Sequence, residues 1–450
     1  MRPSGIWIIL AVVGWGAQAA VAAPPAVRSG APVSSHAMVH TCCTPLPMKE
    51  RIFAESKAMG ARFIRVDVEL RTIFPVDGPS AGPPDWGRLD EVLELSRRHD
   101  LPVLGILLSP PDWVAPHEAQ EFGALAAEVA ARARDTITRW EIFTEPNASW
   151  GFSGTPEDYA HVLRAAHDAI TARVPEAQLA LGGVMTAGGP TWLDRVLATP
   201  GADAAHAFDI AALNLRDTPR RLPGHLAAWR DLLARYGFTG PVWITEHGYP
   251  ADPTHQNDPA FRGGEAAQAA FLTESVLALA EGGADEVFVT LRDEAFLPNS
   301  FFDRFLSEGV VAIADAPPYT ARRRPAFAAV RRLVDNWAAL FAAHTERRMH
   351  EEAIQQLQPL AAWAARNVRA QRKLFRAARG RLIRLKARYR LARRPAARAR
   401  LRRQVARATL TLRDRRSGVG WAQASALDYN VRIALHAQRV TALSAFVAGG

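Results

Sequence analysis

The stretch "RWEIFTEPN", residues 139–147, begins as an apolar strand and ends on a carboxylate followed by proline. Ile142 and Phe143 suit a core, whereas Glu145 sits where Pro146 stops further ladder pairing. A carboxylate is costly to desolvate unless it is paired, hydrated or held neutral. One reading is a strand-to-loop corner with a solvated glutamate. The other is a strand end that presents a carboxylate, and the surrounding pattern decides between them.

Eight short runs bounded by Gly, Pro, Asp or polar clusters read as strands: residues 33–40, 62–70, 102–109, 138–145, 178–185, 209–216, 242–248 and 286–293. Amphipathic stretches lie between them. Residues 155–174 open with Thr155, Pro156 and an acidic first turn, the signature of a helix start. Most runs are apolar on both faces, as parallel strands covered by helices are. Eight such units over about 300 residues predict an α/β fold, the (β/α)8 TIM barrel. A doubly wound open sheet is the alternative, and the even spacing favours closure. The last barrel helix is expected over 324–337.

Residues 1–22 read as a signal peptide, with Arg2, an apolar run from Ile6 and an Ala20-Val21-Ala22 cleavage site. An uncleaved anchor is the alternative, since the run approaches the ~17–25 residues that span a bilayer. Either way the chain is expected outside the cytoplasm, secreted or periplasmic. The net charge of +10 conceals two halves. Residues 1–340, the barrel at 33–340 included, carry 30 basic and 40 acidic groups; residues 341–450 carry 25 basic and 5 acidic. A boundary near 340 follows, with an Arg-rich all-α extension over 341–450.

Within that extension Pro395 is expected to break a helical hairpin, "SGVG" (417–420) to form a turn, and 424–446 to form a final, more apolar helix. Leu382, Leu385 and Tyr389 recur at i, i+3 and i+7, which gives one face to pack. So many arginines call for an anionic partner: an acidic polysaccharide, a lipopolysaccharide or an anionic membrane surface. The leader argues against nucleic acid. The two cysteines, Cys42 and Cys43, are adjacent, which excludes a disulfide framework and a Cys-rich zinc site. Two packed thiols are favoured over a vicinal disulfide. The 13 histidines show no H-E-x-x-H spacing, and no phosphate-binding or nucleophile-elbow motif stands in a fitting context. No metal and no cofactor are expected.

In a barrel, function collects at the C-terminal ends of the strands. The fourth strand ends on Glu145 and the seventh on Glu246, in "PVWITEHGYP" (241–250). Three strands apart, both point into one bowl. Glycoside hydrolysis asks for two carboxylates across a sugar bond, about 5–5.5 Å apart in retaining enzymes and wider in inverting ones.

The segments "WEIFTEPN", "WITEHGYP", "GARFIRVDVEL", "DWGRLDEVLELSRRHDLPVLGILLSPPDWV" and "EAAQAAFLTESVLALAEGGADEVFVTLRDE" resemble clan A retaining glycoside hydrolases. Within the clan they are most similar to family 39, which holds β-xylosidases, α-iduronidases and bacterial exopolysaccharide hydrolases. The resemblance covers residues 33–337. It implies that Glu145 is the general acid/base and Glu246 the nucleophile. It implies that Arg65 lies beside Glu246 and keeps it ionised, and that His36 and Asn147 line the sugar subsite. Trp113, Trp150 and Trp243 are candidates for stacking on sugar rings; core packing is the alternative for each and is favoured for Trp243.

The chain also departs from the family pattern. Thr144 replaces the usual asparagine before the acid/base, Asn214-Leu215-Arg216 ends the sixth strand, and Leu291-Arg292-Asp293 stands where a tryptophan is common. Thr144, Asn214, Arg216, Arg292 and Asp293 join the candidate substrate-binding set. A guanidinium at Arg216 or Arg292 could grip an acidic sugar through paired hydrogen bonds. Pairing with a neighbouring acid such as Asp217 or Asp293 is the alternative. The expected function is a secreted retaining glycosidase acting by double displacement on a bacterial or other extracellular polysaccharide. A catalytically inactive carbohydrate-binding barrel, tethered to an anionic polymer or surface, is the alternative.

Overall fold

The computed structural model describes residues 30–255, 258–294 and 303–449; the leader expected over 1–22 lies outside them. Eight parallel strands close into a barrel in chain order. They are β1 (Val33–His40), β2 (Ile64–Glu69), β3 (Val103–Leu108), β4 (Arg139–Thr144), β5 (Gln178–Met185), β6 (Ala211–Asn214), β7 (Val242–His247) and β8 (Glu286–Thr290). Around them lie α1 (Leu46–Met59), α2 (Gly87–His99), α3 (Ala119–Ala133), α4 (Pro156–Arg173), α5 (Gly189–Leu197), α6 (Leu222–Arg235), α7 (Gly264–Glu281) and α8 (Pro325–Asp335). Strand β8 stops at Thr290, so residues 291–293 open the loop that follows. An antiparallel pair not foreseen from the sequence, β9 (Val311–Ile313) with β10 (Ala321–Arg323), sits in that connection.

Strand β2 shows how the barrel sorts its side chains. Ile64, Val66 and Val68 join the main apolar core, while Arg65, Asp67 and Glu69, on the opposite face of the strand, are buried polar groups. A separate apolar cluster of Phe63, Leu104, Ala180, Ile210, Ala212, Trp243 and Phe288 plugs the other part of the barrel interior. Trp243 lies 5.2 Å from Phe63 and 5.7 Å from Phe288, ring to ring, and is core packing. Outside, Thr155 caps α4 through a reciprocal pair of hydrogen bonds with Asp158.

The C-terminal region is a hairpin of α9 (Trp337–Leu391) and α10 (Pro395–Ala448). Pro395 stands at the first turn of α10, where its missing N–H costs nothing. The turn expected at 417–420 does not form, and 424–446 is not a separate helix: both belong to α10. Packing on α9 overrides the weak helix propensity of Gly418, whose missing side chain admits Gln371 of α9; a Cβ there would meet the Gln371 amide oxygen at 3.2 Å. Helix α9 starts at Trp337 and crosses residue 340 unbroken. The root of the hairpin is part of the barrel core: Leu340 and Phe341 of α9 and Leu443 and Val447 of α10 are buried there. Arg332 of α8 donates to the carbonyls of Phe446 at 2.7 Å and Val447 at 2.9 Å. Among the described residues no helix is long and apolar enough to cross a membrane. Cys42 and Cys43 are joined as a vicinal disulfide, in place of the two packed thiols expected.

Candidate active site

Two backbone irregularities aim the glutamates. Phe143 in β4 (φ 61°) and Glu145 just after it (φ 46°) adopt the left-handed conformation. Such residues cost about 1–3 kcal/mol each and persist only where the surroundings enforce them. Here Phe143 is drawn outward onto Phe122 of α3, 5.0 Å between rings, while Thr144 and Glu145 turn inward. In β7 the register against both neighbours shifts around Glu246. Such a bulge re-aims a side chain: Thr245 bonds Asn214, Glu246 meets Arg65, and His247 returns to Ser275 of α7.

Arg65 is the hub. Its Nε and Nη2 donate to both oxygens of Glu141 at 2.8 and 2.7 Å, and Nη2 also reaches the Thr144 hydroxyl at 2.8 Å. Its Nη1 donates to Glu246 Oε1 at 3.0 Å and to His36 Nδ1 at 3.2 Å. A guanidinium only donates, so His36 Nδ1 is an acceptor and the ring proton is on Nε2. Arg216 Nη2 donates to Glu246 Oε2 at 3.1 Å and to Glu308 Oε2 at 3.3 Å. Glu308 also receives Thr290 and Arg304, the latter at 2.8 and 3.2 Å. Gly248 makes room for it, since a Cβ there would collide with the Glu308 side chain.

The two strand-end carboxyls are driven apart electrostatically. Burial raises Glu246, but the His36 imidazole and the guanidinium charges of Arg65 and Arg216 overcome it and hold the carboxyl well below the usual range. Glu145 moves the other way. Burial and then the negative charge of Glu246 raise it, against the smaller opposing effects of Arg216, Asn214 and Trp150. Asn214 Nδ2 donates to Glu145 Oε1 at 3.0 Å and Trp150 Nε1 to Oε2 at 2.7 Å. His36 is lowered to about 4, chiefly by burial, and is neutral at pH 7. Glu294, buried near these acids, is raised well above the usual range by burial, Glu246 and Glu308.

The site thus gathers His36, Arg65, Thr144, Glu145, Trp150, Asn214, Arg216 and Glu246. Other candidates are engaged elsewhere. Asn147 ties down the chain after β5, accepting from Met185 N–H and donating to the Met185 and Ala187 carbonyls. Trp113 is half-buried and donates to the Pro75 carbonyl at 2.9 Å. Arg292 lies against the Met48 sulfur, and Asp293 is held by Arg324 at 2.7 Å and by the Gly309 N–H. Arg216 is paired, but with Glu246 and Glu308 rather than with Asp217 or Asp293.

Three acids of the site escaped the sequence reading. Glu141 left a signal: it is an acid between Trp140 and Ile142, within the very stretch that carries Glu145. Glu294 and Glu308 lie in the loop after β8, where no periodicity marks them.

Comparison with known proteins follows the fold. No protein-family model matches the chain, and no curated protein sequence does. Among solved structures the chain is similar to a conserved exported protein from Bacteroides fragilis, at 11% identity and TM-score 0.52, over 68% of this chain and 79% of that one. It is similar to a family 1 β-glucosidase from Thermotoga maritima, at 11% and 0.50, over 69% and 98%. A rice β-glucosidase gives 13% and 0.50, over 68% and 98%. At this identity what is shared is the fold, the (β/α)8 barrel.

Proposed function

We propose that the chain is a retaining glycoside hydrolase in which Glu246 is the nucleophile and Glu145 the acid/base. The observation that carries this reading is the opposed poise of two strand-end carboxyls in one bowl, one kept ionised by buried cations and the other raised. A pair of titratable groups pushed apart by their surroundings is the signature of an assigned acid and base.

In the first step a Glu246 oxygen attacks the anomeric carbon while Glu145 passes its proton to the departing glycosidic oxygen. A covalent glycosyl ester on Glu246 results. Glu145, now a carboxylate, takes a proton from water as that water attacks the anomeric carbon and frees Glu246. Arg65 and Arg216 hold Glu246 in orientation throughout. The charge of Glu246 falls when the ester forms, which removes one of the two influences that raise Glu145. Its change from acid to base is thereby assisted.

The likeness to family 39, an extracellular polysaccharide substrate and a secreted location belong to this proposal on the strength of the sequence motifs and leader. The test is a 2-deoxy-2-fluoro glycoside with a good leaving group. Expected is a mass increase of one fluorosugar on the peptide containing Glu246, after release of the leaving group. Label on another residue, or none with any sugar of a broad panel, overturns the assignment.

A further inference from the structure

Beyond that reading, the distal half of the C-terminal hairpin carries a second feature. Residues 366–416 hold 21 Arg and Lys and a single acid, Asp414. Among the described residues none of these cations forms an ion pair; the hairpin's ion pairs lie nearer its root, as in Arg439–Glu346 and Arg347–Glu274. A helix of this length extends about 80 Å, so the charge stands away from the barrel. Large apolar side chains are interleaved with it: Leu374, Ile383, Leu391, Leu410 and Trp421 are all exposed. Leu391 is 81% exposed at the hairpin turn, flanked by Arg388, Arg390, Arg393 and Arg394. Leu382, Leu385 and Tyr389 are among the covered positions of distal α9, on the seam with α10, whereas Leu374, Ile383 and Leu391 stay exposed.

We propose that this distal hairpin binds the interface of an anionic lipid membrane. A second copy of the chain could cover the leucines only by opposing two strongly cationic surfaces. A polysaccharide or nucleic acid would neutralise the arginines but leave Ile383, Leu391 and Leu410 in water. Anionic headgroups answer both features, because phosphates meet the guanidinium groups while Trp and Leu enter the headgroup–acyl boundary. Arginine suits this role, being permanently charged and weakly hydrated.

The test uses the full chain and reads no glycosidase activity, so its outcome is independent of the catalytic proposal. Sedimentation is measured with vesicles of phosphatidylcholine, with and without phosphatidylglycerol, across a salt series. The expected result is binding to the anionic vesicles alone, weakening as salt rises. A variant with Ile383→Ser, Leu391→Ser, Leu410→Ser and Trp421→Ser keeps the charge. It should lose about tenfold or more in vesicle affinity while keeping wild-type retention on heparin. Replacing Arg393, Arg394, Arg398, Arg400 and Arg402 by Gln should cost on the order of a hundredfold or more. The proposal is overturned if wild type fails to sediment, if it binds duplex DNA or alginate more tightly at equal salt, or if the serine variant binds vesicles as wild type does. Thermal unfolding of each variant is the control for fold.

Discussion

Arg65 and Glu246 meet at 3.0 Å inside the barrel although 181 residues separate them in the chain. Their strands, β2 and β7, are not neighbours, so the contact crosses the bowl. Arg65 simultaneously clamps Glu141 on β4 and touches His36 on β1. One guanidinium therefore links four of the eight strands and holds the proposed nucleophile ionised.

The division of labour between the glutamates is testable by substitution. Glu246→Gln should abolish turnover of every glycoside, since no nucleophile remains. Glu145→Ala should cost about 10²–10⁴ in kcat on glycosides with poor leaving groups and far less on activated aryl glycosides, whose rate azide should restore. Near wild-type rates for either variant on an unactivated glycoside would exclude these roles.

Removing the hub should be felt in stability as well as rate. Arg65→Leu leaves Glu141 buried without its cation and Glu246 with Arg216 alone, and breaking a buried pair this way costs about 3–5 kcal/mol. One of the charges that lower Glu246 also disappears, so the acid limb of the pH–rate profile should move to higher pH. Chemical denaturation and the profile of any residual activity check the two parts separately. An unchanged denaturation midpoint would show that Arg65 is not the keystone of the barrel interior.

The alkaline limb should follow Glu145, which acts as an acid only while protonated. Its proton is held by burial and by the charge of Glu246; Asn214 and Arg216 favour the ionised form. Asn214→Ala and Arg216→Met each remove such a group, so each should raise the Glu145 pKa and extend activity to higher pH. A limb that moved to lower pH in both variants would assign it to another group. Because Arg216 also binds Glu246, Arg216→Met should lower kcat on neutral and acidic sugars alike. A KM increase confined to acidic sugars would instead restore its reading as a substrate-binding residue.

The root of the hairpin should behave as part of the barrel. A chain ending after Trp337 loses Leu340, Phe341, Leu443 and Val447, and large-to-small changes at buried sites cost about 2–5 kcal/mol each. It also strips Arg347 from Glu274 and the two carbonyls from Arg332. Urea unfolding should show a severely destabilised or insoluble product. Ile383→Ser, at the exposed distal end, should stay within about 0.5 kcal/mol of wild type. Equal midpoints for the truncated and full chains would make the root dispensable.

The sequence by itself determined the barrel and its proposed catalytic pair. Eight apolar runs with helical spacers leave closure as the favoured way to bury both faces of every strand, and a glutamate ending an apolar run is conspicuous because its desolvation must be answered. The Pro395 break was legible for a similar reason, since proline tells its own local geometry. Tertiary structure alone decided which polar groups answer one another. Glu308 and Glu294 come from a loop without periodicity, and Arg216 could pair with any acid within reach until the fold put Glu246 and Glu308 there. The same holds for 417–420, where local propensity favours a turn and packing across α9 keeps the helix running. Strand and helix patterns are local and repeat along the chain; a buried ion pair is a single long-range coincidence, fixed only when the strands have closed around it.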